Sequence, residues 1–222
     1  MTRALFQVAL WLLPWTIRRK ILVVLLQFDI AATARIGFSI VLSRSLIMGP
    51  AARIGHLTVI KRLRRVEISE AARIGNLNWI SGMPDGVERH FTCEVNRNPS
   101  LIIERHAAIT HRHLIDCTDL VTIGAFSTFA GWGSQILTHA IDLNEGRQSC
   151  APVSIGQYCF IGTRVVILKG GRLPDRSVLA AGSTLAHAMT EPDSVYGGVP
   201  ALFLRKTKEG AAYFCREIGF VE

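Results

Sequence analysis

Residues 153–186 read VSIGQYCFIGTRVVILKGGRLPDRSVLAAGSTLA, and an apolar residue returns at every sixth position: Ile155, Ile161, Ile167, Leu173, Leu179 and Leu185. A period of six fits neither an α-helix at 3.6 residues nor a heptad at 3.5, and the punctuation of capped helices is missing. Three sixes make 18, one turn of a triangular solenoid. Each side is a short strand that points one aliphatic side chain into a narrow shaft, with small residues at the corners.

The same beat runs toward the N-terminus through Ile30, Ile36, Leu42, Met48, Ile54, Ile60 and Val66, slips by two, and continues at Ile68, Ile74 and Ile80. It resumes at Ile103, Ile109, Ile115 and Val121, and slips again to Ile123 and Phe129. A higher period lies on top: TARIG at 33–37, AARIG at 51–55 and AARIG at 71–75. The slips are expected to be bulges that leave the stack intact. Isoleucine–glycine pairs such as Ile54-Gly55 and Ile74-Gly75 are expected to serve tight corners and close backbone approach. Each coil pairs only with its neighbours, so the ends need caps. The chain therefore divides into a hydrophobic helical segment at 1–28, a solenoid at 29–206 with a loop inserted at about 139–152, and a short helix at 207–222 covering the last coil.

Composition narrows the function. The 222 residues are 49% hydrophobic and 19% charged, which excludes a disordered class. The net charge of +8 favours an anionic partner. Basic residues are dispersed and no recognition motif interleaves them with aromatics, so nucleic acid is not expected. Five cysteines without a C-x-x-C pair fit reduced thiols in the cytoplasm. Near the N-terminus, apolar runs at 4–17 and 21–26 flank Arg18-Arg19-Lys20, and neither reaches the ~20 residues of a spanning helix. Two readings stand side by side. The segment lies on the inner face of an anionic membrane, with Trp11 and Trp15 near the headgroups and the basic triplet on phosphates; or it caps the first edge or contacts another subunit.

The beat breaks over the polar stretch 142–150, with His139 at its entrance. A solenoid can extrude a loop at a corner without disturbing the stack, and such loops carry function. The stretch 153–186, followed by VYGGVPALFLRK at 195–206, resembles the hexapeptide-repeat acyltransferases, in particular the sugar and polysaccharide O-acetyltransferases. The resemblance covers roughly residues 30–206. It implies an all-β, single-stranded left-handed parallel β-helix, a homotrimer with active sites between subunits, acetyl-CoA as co-substrate and no metal. The implied reaction is acetyl transfer to a saccharide hydroxyl of a bacterial surface-polysaccharide or lipid-linked glycan precursor.

His139 matches the family's general base at the foot of the loop. An imidazole with a pKa near 7 can accept the proton of a hydroxyl as it attacks a thioester. Its orienting partner is open among a backbone carbonyl, Asp142 and Asp116. The positions matching cofactor contacts are Thr163, Ala181, Gly182, Ala186, His187, Arg205 and Lys206. The family often has Thr-Lys where this chain has Ala186-His187, which removes a hydroxyl and a fixed charge. Acceptor-side candidates are Trp132, placed to stack on a sugar ring, with Asp116, Asp142 and His113. His111 and His113, two apart, are expected to point outward from one strand face.

Rival readings are N-acetylation of an amino sugar, a zinc carbonic anhydrase of the same solenoid type using His106, His111 and His139, and a non-catalytic scaffold. The AAGS…GGVPA end and the inserted loop argue for acyl transfer. Cys150 lies in the loop, but its spacing fixes no basic partner, so a cysteine nucleophile is not expected.

Overall fold

The computed structural model describes residues 3–86, 90, 91, 94, 96–219 and 221; Cys93 lies outside them. Three long sheets enclose a shaft, and the chain visits them in turn, so each strand pairs in parallel with the strand one coil later. Sheet A holds seven strands, from Asp29–Ile30 to Arg172–Leu173. Sheet B holds nine, opening with Arg35–Ile36 and closing with Ser194–Gly197 and the antiparallel Leu202–Lys206. Sheet C holds seven, from Ile40–Leu42 to Thr184–Leu185.

The sixfold beat is the inward face of these sheets. Ile36, Ile54, Ile74, Ile109, Phe129, Ile161, Leu179 and Tyr196 stand in register up sheet B. Sheet C contributes Val41, Ile60, Ile80, Ile115, Ile136, Ile167 and Leu185 in the same manner. Each is at most 5% exposed, and burying one such side chain stabilises the fold by roughly 1.5–3 kcal/mol.

Three expectations change in detail. In the first coil Val41, not Leu42, fills the shaft, because the side from Ile36 is one residue shorter there. The slips of two are not bulges. Sheet A simply has longer strands, and Leu46 with Met48, Val66 with Ile68, Leu101 with Ile103, and Val121 with Ile123 all point inward. Nor do the glycines after isoleucine turn the corners. Left-handed backbone falls instead on Leu57, Leu77, Arg112 and Tyr158, with φ between 55° and 60°, and the N–H of each donates to a carbonyl one coil back. The glycines allow close stacking: a Cβ on Gly75 would lie 2.3 Å from the Thr110 carbonyl oxygen.

The two ends are finished differently. Helices α1 (Arg3–Ala9) and α2 (Trp15–Leu26) lie over the first coil. Gln7 exchanges two hydrogen bonds with the Val41 backbone, and Trp15 Nε1 donates to the Ala34 carbonyl at 3.0 Å. Arg18 donates to the Ile36 and Gly37 carbonyls and Arg19 to those of Ile30 and Ala31. Backbone groups that a solenoid leaves open at its first edge are thus satisfied by side chains. At the other end the expected short helix is reduced, among the described residues, to one 3-10 turn and does not lie over the last coil. That turn, Ala212–Phe214, stands in 207–222, and the segment runs back along the corner between sheets A and B. There Tyr213 bonds the Cys159 carbonyl, Arg216 that of Phe126, and the Gly219 N–H donates to His106 Nδ1. The strand Leu202–Lys206, folded back on Ser194–Gly197, forms the last edge of sheet B. No helix among the described residues is long and apolar enough to cross a membrane.

Candidate functional site

Two excursions leave the stack at the same corner, between sheets C and A. One lies between the strands Trp79–Ser81 and Ser100–Ile103. The other is the antiparallel hairpin His139–Asp142 with Arg147–Cys150, in which His139 stands opposite Cys150. Between them in the stack passes the turn that follows the strand Leu114–Asp116.

His139 sits at the foot of the hairpin with its side chain 34% exposed. Its Nδ1 lies 2.7 Å from Asp116 Oδ2. Asp116 is held in turn by the Thr118 N–H and hydroxyl on Oδ1 and by the Thr138 N–H and hydroxyl on Oδ2. Burial opposes the charge on Asp116, yet the hydrogen bonds from His139 and Thr118 outweigh it and hold the pKa below the ordinary carboxylate value. An ionised carboxylate only accepts, so Nδ1 carries the hydrogen and Nε2 the lone pair. The hydrogen bond to Asp116 raises the His139 pKa above 6.5, against burial and the nearby Arg97 charge. Among the described residues Nε2 takes no hydrogen bond.

The excursion at 82–99 supplies the other wall. Phe91, buried, meets the His139 ring edge-on at 6.2 Å, and the Arg97 guanidinium lies 4.5 Å over the Phe91 ring. Arg97 is fixed by the carbonyls of Met83, Pro84 and Thr118. Glu94 accepts from the Cys150 N–H at 3.3 Å. Beside these residues opens a cavity of about 470 Å³ bordered by Glu94, Arg97, Asp119 and Cys150. Sequence reasoning passed over this segment. Its signal was the silence of the beat between Ile80 and Ile103.

Other candidates fall elsewhere. His113 does not face outward. It is fully buried in the corner between sheets B and C, edge-on to Phe129, with Nδ1 accepting from the Ser134 N–H and Nε2 beside the Thr110 hydroxyl. Burial, helped by the His111 charge, pushes its pKa down to about 4, so it is a neutral structural residue and not an acceptor contact. Alternation failed because 110–113 is a corner and not a strand. Asp142 accepts the Asn144 and Glu145 N–H groups at the hairpin tip, which orders the turn.

Trp132, 59% exposed, stands at the corner between sheets B and C, with its backbone bound to the Thr163 hydroxyl one coil later. Ala181 and Gly182 continue that corner, and Ala186 with His187 lies at the corner of sheets C and A. On sheet B, Lys206 pairs with Glu191 at 2.9 Å, while the exposed Arg205 donates to the Lys206 carbonyl. One chain does not unite Trp132 or the Thr163–Gly182 row with His139: they occupy different corners.

His106, His111 and His139 likewise occupy three different corners. His106 stacks on Phe126, and His111 Nδ1 accepts from the Asn76 N–H. Among the described residues no group of three or more His, Cys, Asp or Glu is placed to hold a metal ion. The Cys150 thiol is pushed up to about 12, by burial first and then by the Asp119 and Glu94 carboxylates, which leaves it a poor nucleophile.

No protein-family model matches the chain, and comparison with curated proteins finds no match. Solved structures do match. The polysialic acid O-acetyltransferase OatWY is 19% identical, with a TM-score of 0.61 over 84% of this chain and 90% of its own. The N-acyltransferase AntD of Bacillus cereus, solved with dTDP-4-amino-4,6-dideoxyglucose and coenzyme A, is 12% identical with a TM-score of 0.51, over 78% and 85%. A hexapeptide-repeat acetyltransferase of Vibrio cholerae is 30% identical over 49% of this chain and 64% of its own, with a TM-score of 0.46. With its three stacked sheets and sixfold inward ladders, the chain is a left-handed parallel β-helix of the hexapeptide-repeat type, the fold in which such acetyltransferases are built.

Proposed function

We propose that the protein is an acetyl-CoA-dependent acetyltransferase that modifies a saccharide hydroxyl, with His139 as general base. The observation that carries this reading is the Asp116–His139 pair, which leaves the Nε2 lone pair without a partner among the described residues, at the foot of the inserted hairpin. In the step proposed, Nε2 takes the proton of the acceptor hydroxyl while its oxygen attacks the thioester carbonyl. The tetrahedral adduct then collapses, the carbon–sulfur bond breaks, and the departing thiolate recovers the proton from His139. No covalent enzyme intermediate is needed. OatWY and AntD, by their names, acylate an oxygen and a nitrogen; a hydroxyl acceptor is favoured here because it needs the base that Nε2 offers, whereas a free amine is already nucleophilic.

A homotrimer completes the proposal. It would bring the corner bearing Trp132, Thr163, Ala181 and Gly182 on one copy to the His139 corner of the next. Support comes from the outward ladder on sheet C: Ile40, Val59, Trp79, Leu114 and Val166 stand in register with Gln135 and Thr184. Trp79 and Leu114 are 44% and 51% exposed, an apolar row of the kind that subunits cover. Coenzyme A would follow the small residues of that corner, with Arg205 toward its phosphates. The helical segment at 1–28 would touch the membrane that carries a lipid-linked acceptor.

The test is thiol release from acetyl-CoA across a panel of sugar acceptors, wild type beside His139→Ala. Loss of roughly 10²- to 10⁴-fold is expected. Turnover that survives the substitution would place the chemistry elsewhere.

A further inference from the structure

The ARIG repeats do more than stack isoleucines. Arg35, Arg53 and Arg73 precede the inward residues and stand in register on the outer face of sheet B, about 4.8 Å from strand to strand. Like charges directly opposite one another on neighbouring strands destabilise a sheet. Arg64, Arg65 and Arg176 elsewhere on the surface each face a carboxylate. Arg35 and Arg53 face none among the described residues. They form one side of a groove of about 590 Å³ whose other side is Trp11, Trp15 and Phe38, with Arg18 at its base and no carboxylate in its lining. The aromatic wall is built, not incidental: Trp11 and Phe38 meet at 5.7 Å, Phe38 and His56 at 5.2 Å, and the pinned Arg18 lies 4.8 Å over Trp15. At the rim the apolar Leu13 lines the groove, and its neighbour Leu12 is 90% exposed.

We infer that this groove is a second site, distinct from the hairpin corner, that seats the phosphate headgroup of an anionic membrane lipid. A phosphate on the arginine row satisfies charges that the fold holds side by side. The lipid's apolar part then lies over Leu12, Leu13 and the outward residues Ile17 and Val24 of the capping helices, with the tryptophans at headgroup depth. The site rests on the reading of 1–28 as a membrane contact, and moves its phosphate ligands from the basic triplet to the repeats. Arg18 and Arg19 are already spent on the first coil's carbonyls.

The experiment is co-sedimentation of the full chain with vesicles of phosphatidylcholine, with and without phosphatidylglycerol. The variants are the pair Arg35→Gln with Arg53→Gln and, as a control of equal charge, Arg44→Gln with Arg62→Gln at another corner of the same coils. The wild type is expected to bind the anionic vesicles alone. The first pair should weaken binding about 30-fold, the effect of two arginines at a lipid surface, with a melting temperature no lower than that of the wild type. The control pair should weaken it far less. Equal weakening by both pairs overturns the site but keeps the membrane contact, whereas a wild type that binds no vesicles overturns both. Binding of inorganic pyrophosphate without vesicle binding, lost in the first pair, overturns the lipid and assigns the groove to a soluble phosphate.

Discussion

Asp116 selects which nitrogen of His139 is free. Five donors converge on its two oxygens, so the carboxylate stays charged and fixes the ring. General-base transfer needs neutral imidazole, so the rate should rise with pH through the raised His139 pKa and fall below it. In Asp116→Asn the carboxylate that raises this pKa is gone. The midpoint of the pH–rate profile for thiol release should move down, since only burial and the Arg97 charge then act on the ring, and the plateau should drop by about 10²-fold as the ring loses its orientation. An unmoved midpoint would mean that Asp116 does not act on His139. The same pair has a signature in stability. The raised His139 pKa contributes stability that is full below 6.5 and is lost as pH rises through the folded value. The lowered Asp116 pKa contributes stability that is present above 3.8 and is lost as pH falls through its folded value. Both contributions are present between these limits, and solvent screening at the part-exposed ring keeps them modest. His139 was legible because the rhythm breaks beside it and a family motif frames it. Its partner stood only as one of three candidates, because Asp116 lies 23 residues earlier and only the coil brings the two to one corner.

Coils, by contrast, could be read almost directly, since a shaft with room for one side chain per side imposes its period on the sequence. What the period could not tell was why glycine follows isoleucine. Gly75 carries no positive φ; its Cβ position is filled by the backbone of the next coil, with the Thr110 carbonyl oxygen at 2.3 Å. Coil spacing is set by ladder hydrogen bonds and cannot give locally. Gly75→Ala should therefore destabilise the protein by about 1–3 kcal/mol, the usual range for overpacking. Gly170→Ala meets only Ala151 Cβ at 3.8 Å, and its φ of 75° should cost about 1 kcal/mol. Urea midpoints compare the two, and equal losses would show that corner strain rather than close approach governs these glycines. The excursion at 82–99 escaped notice for the opposite reason. It has no period of its own, and its role becomes visible only when Phe91 and Arg97 are seen against His139.

At the scale of the whole molecule, the outward faces divide the work that the inward ladders leave undone. Sheet B presents its first three coils as a charged row, and sheet C presents Trp79 and Leu114 as an apolar one. The ARIG spacing stacks the three arginines on one side of the triangle but does not show the aromatic wall opposite them, and Trp79 and Leu114 were not legible as neighbours because the excursion between them interrupts the count. The sides matter because the candidate cofactor corner and the His139 corner are the two ends of sheet C. A face that joins them must be covered by a second copy if the two are to meet. Leu114→Arg places a charge in the middle of that row, 51% exposed in the single chain and thus harmless to the shaft behind it. In a trimer it would be buried among its neighbours without a partner, at a cost of several kcal/mol. Light scattering should then find a folded monomer with the β-sheet circular dichroism of the wild type, with acetyl transfer reduced at least 10²-fold although Asp116 and His139 are untouched. Wild-type mass together with wild-type activity would exclude sheet C as the subunit face. A monomer that kept its activity would show instead that one chain suffices, and that the acceptor and coenzyme A meet at the hairpin corner alone.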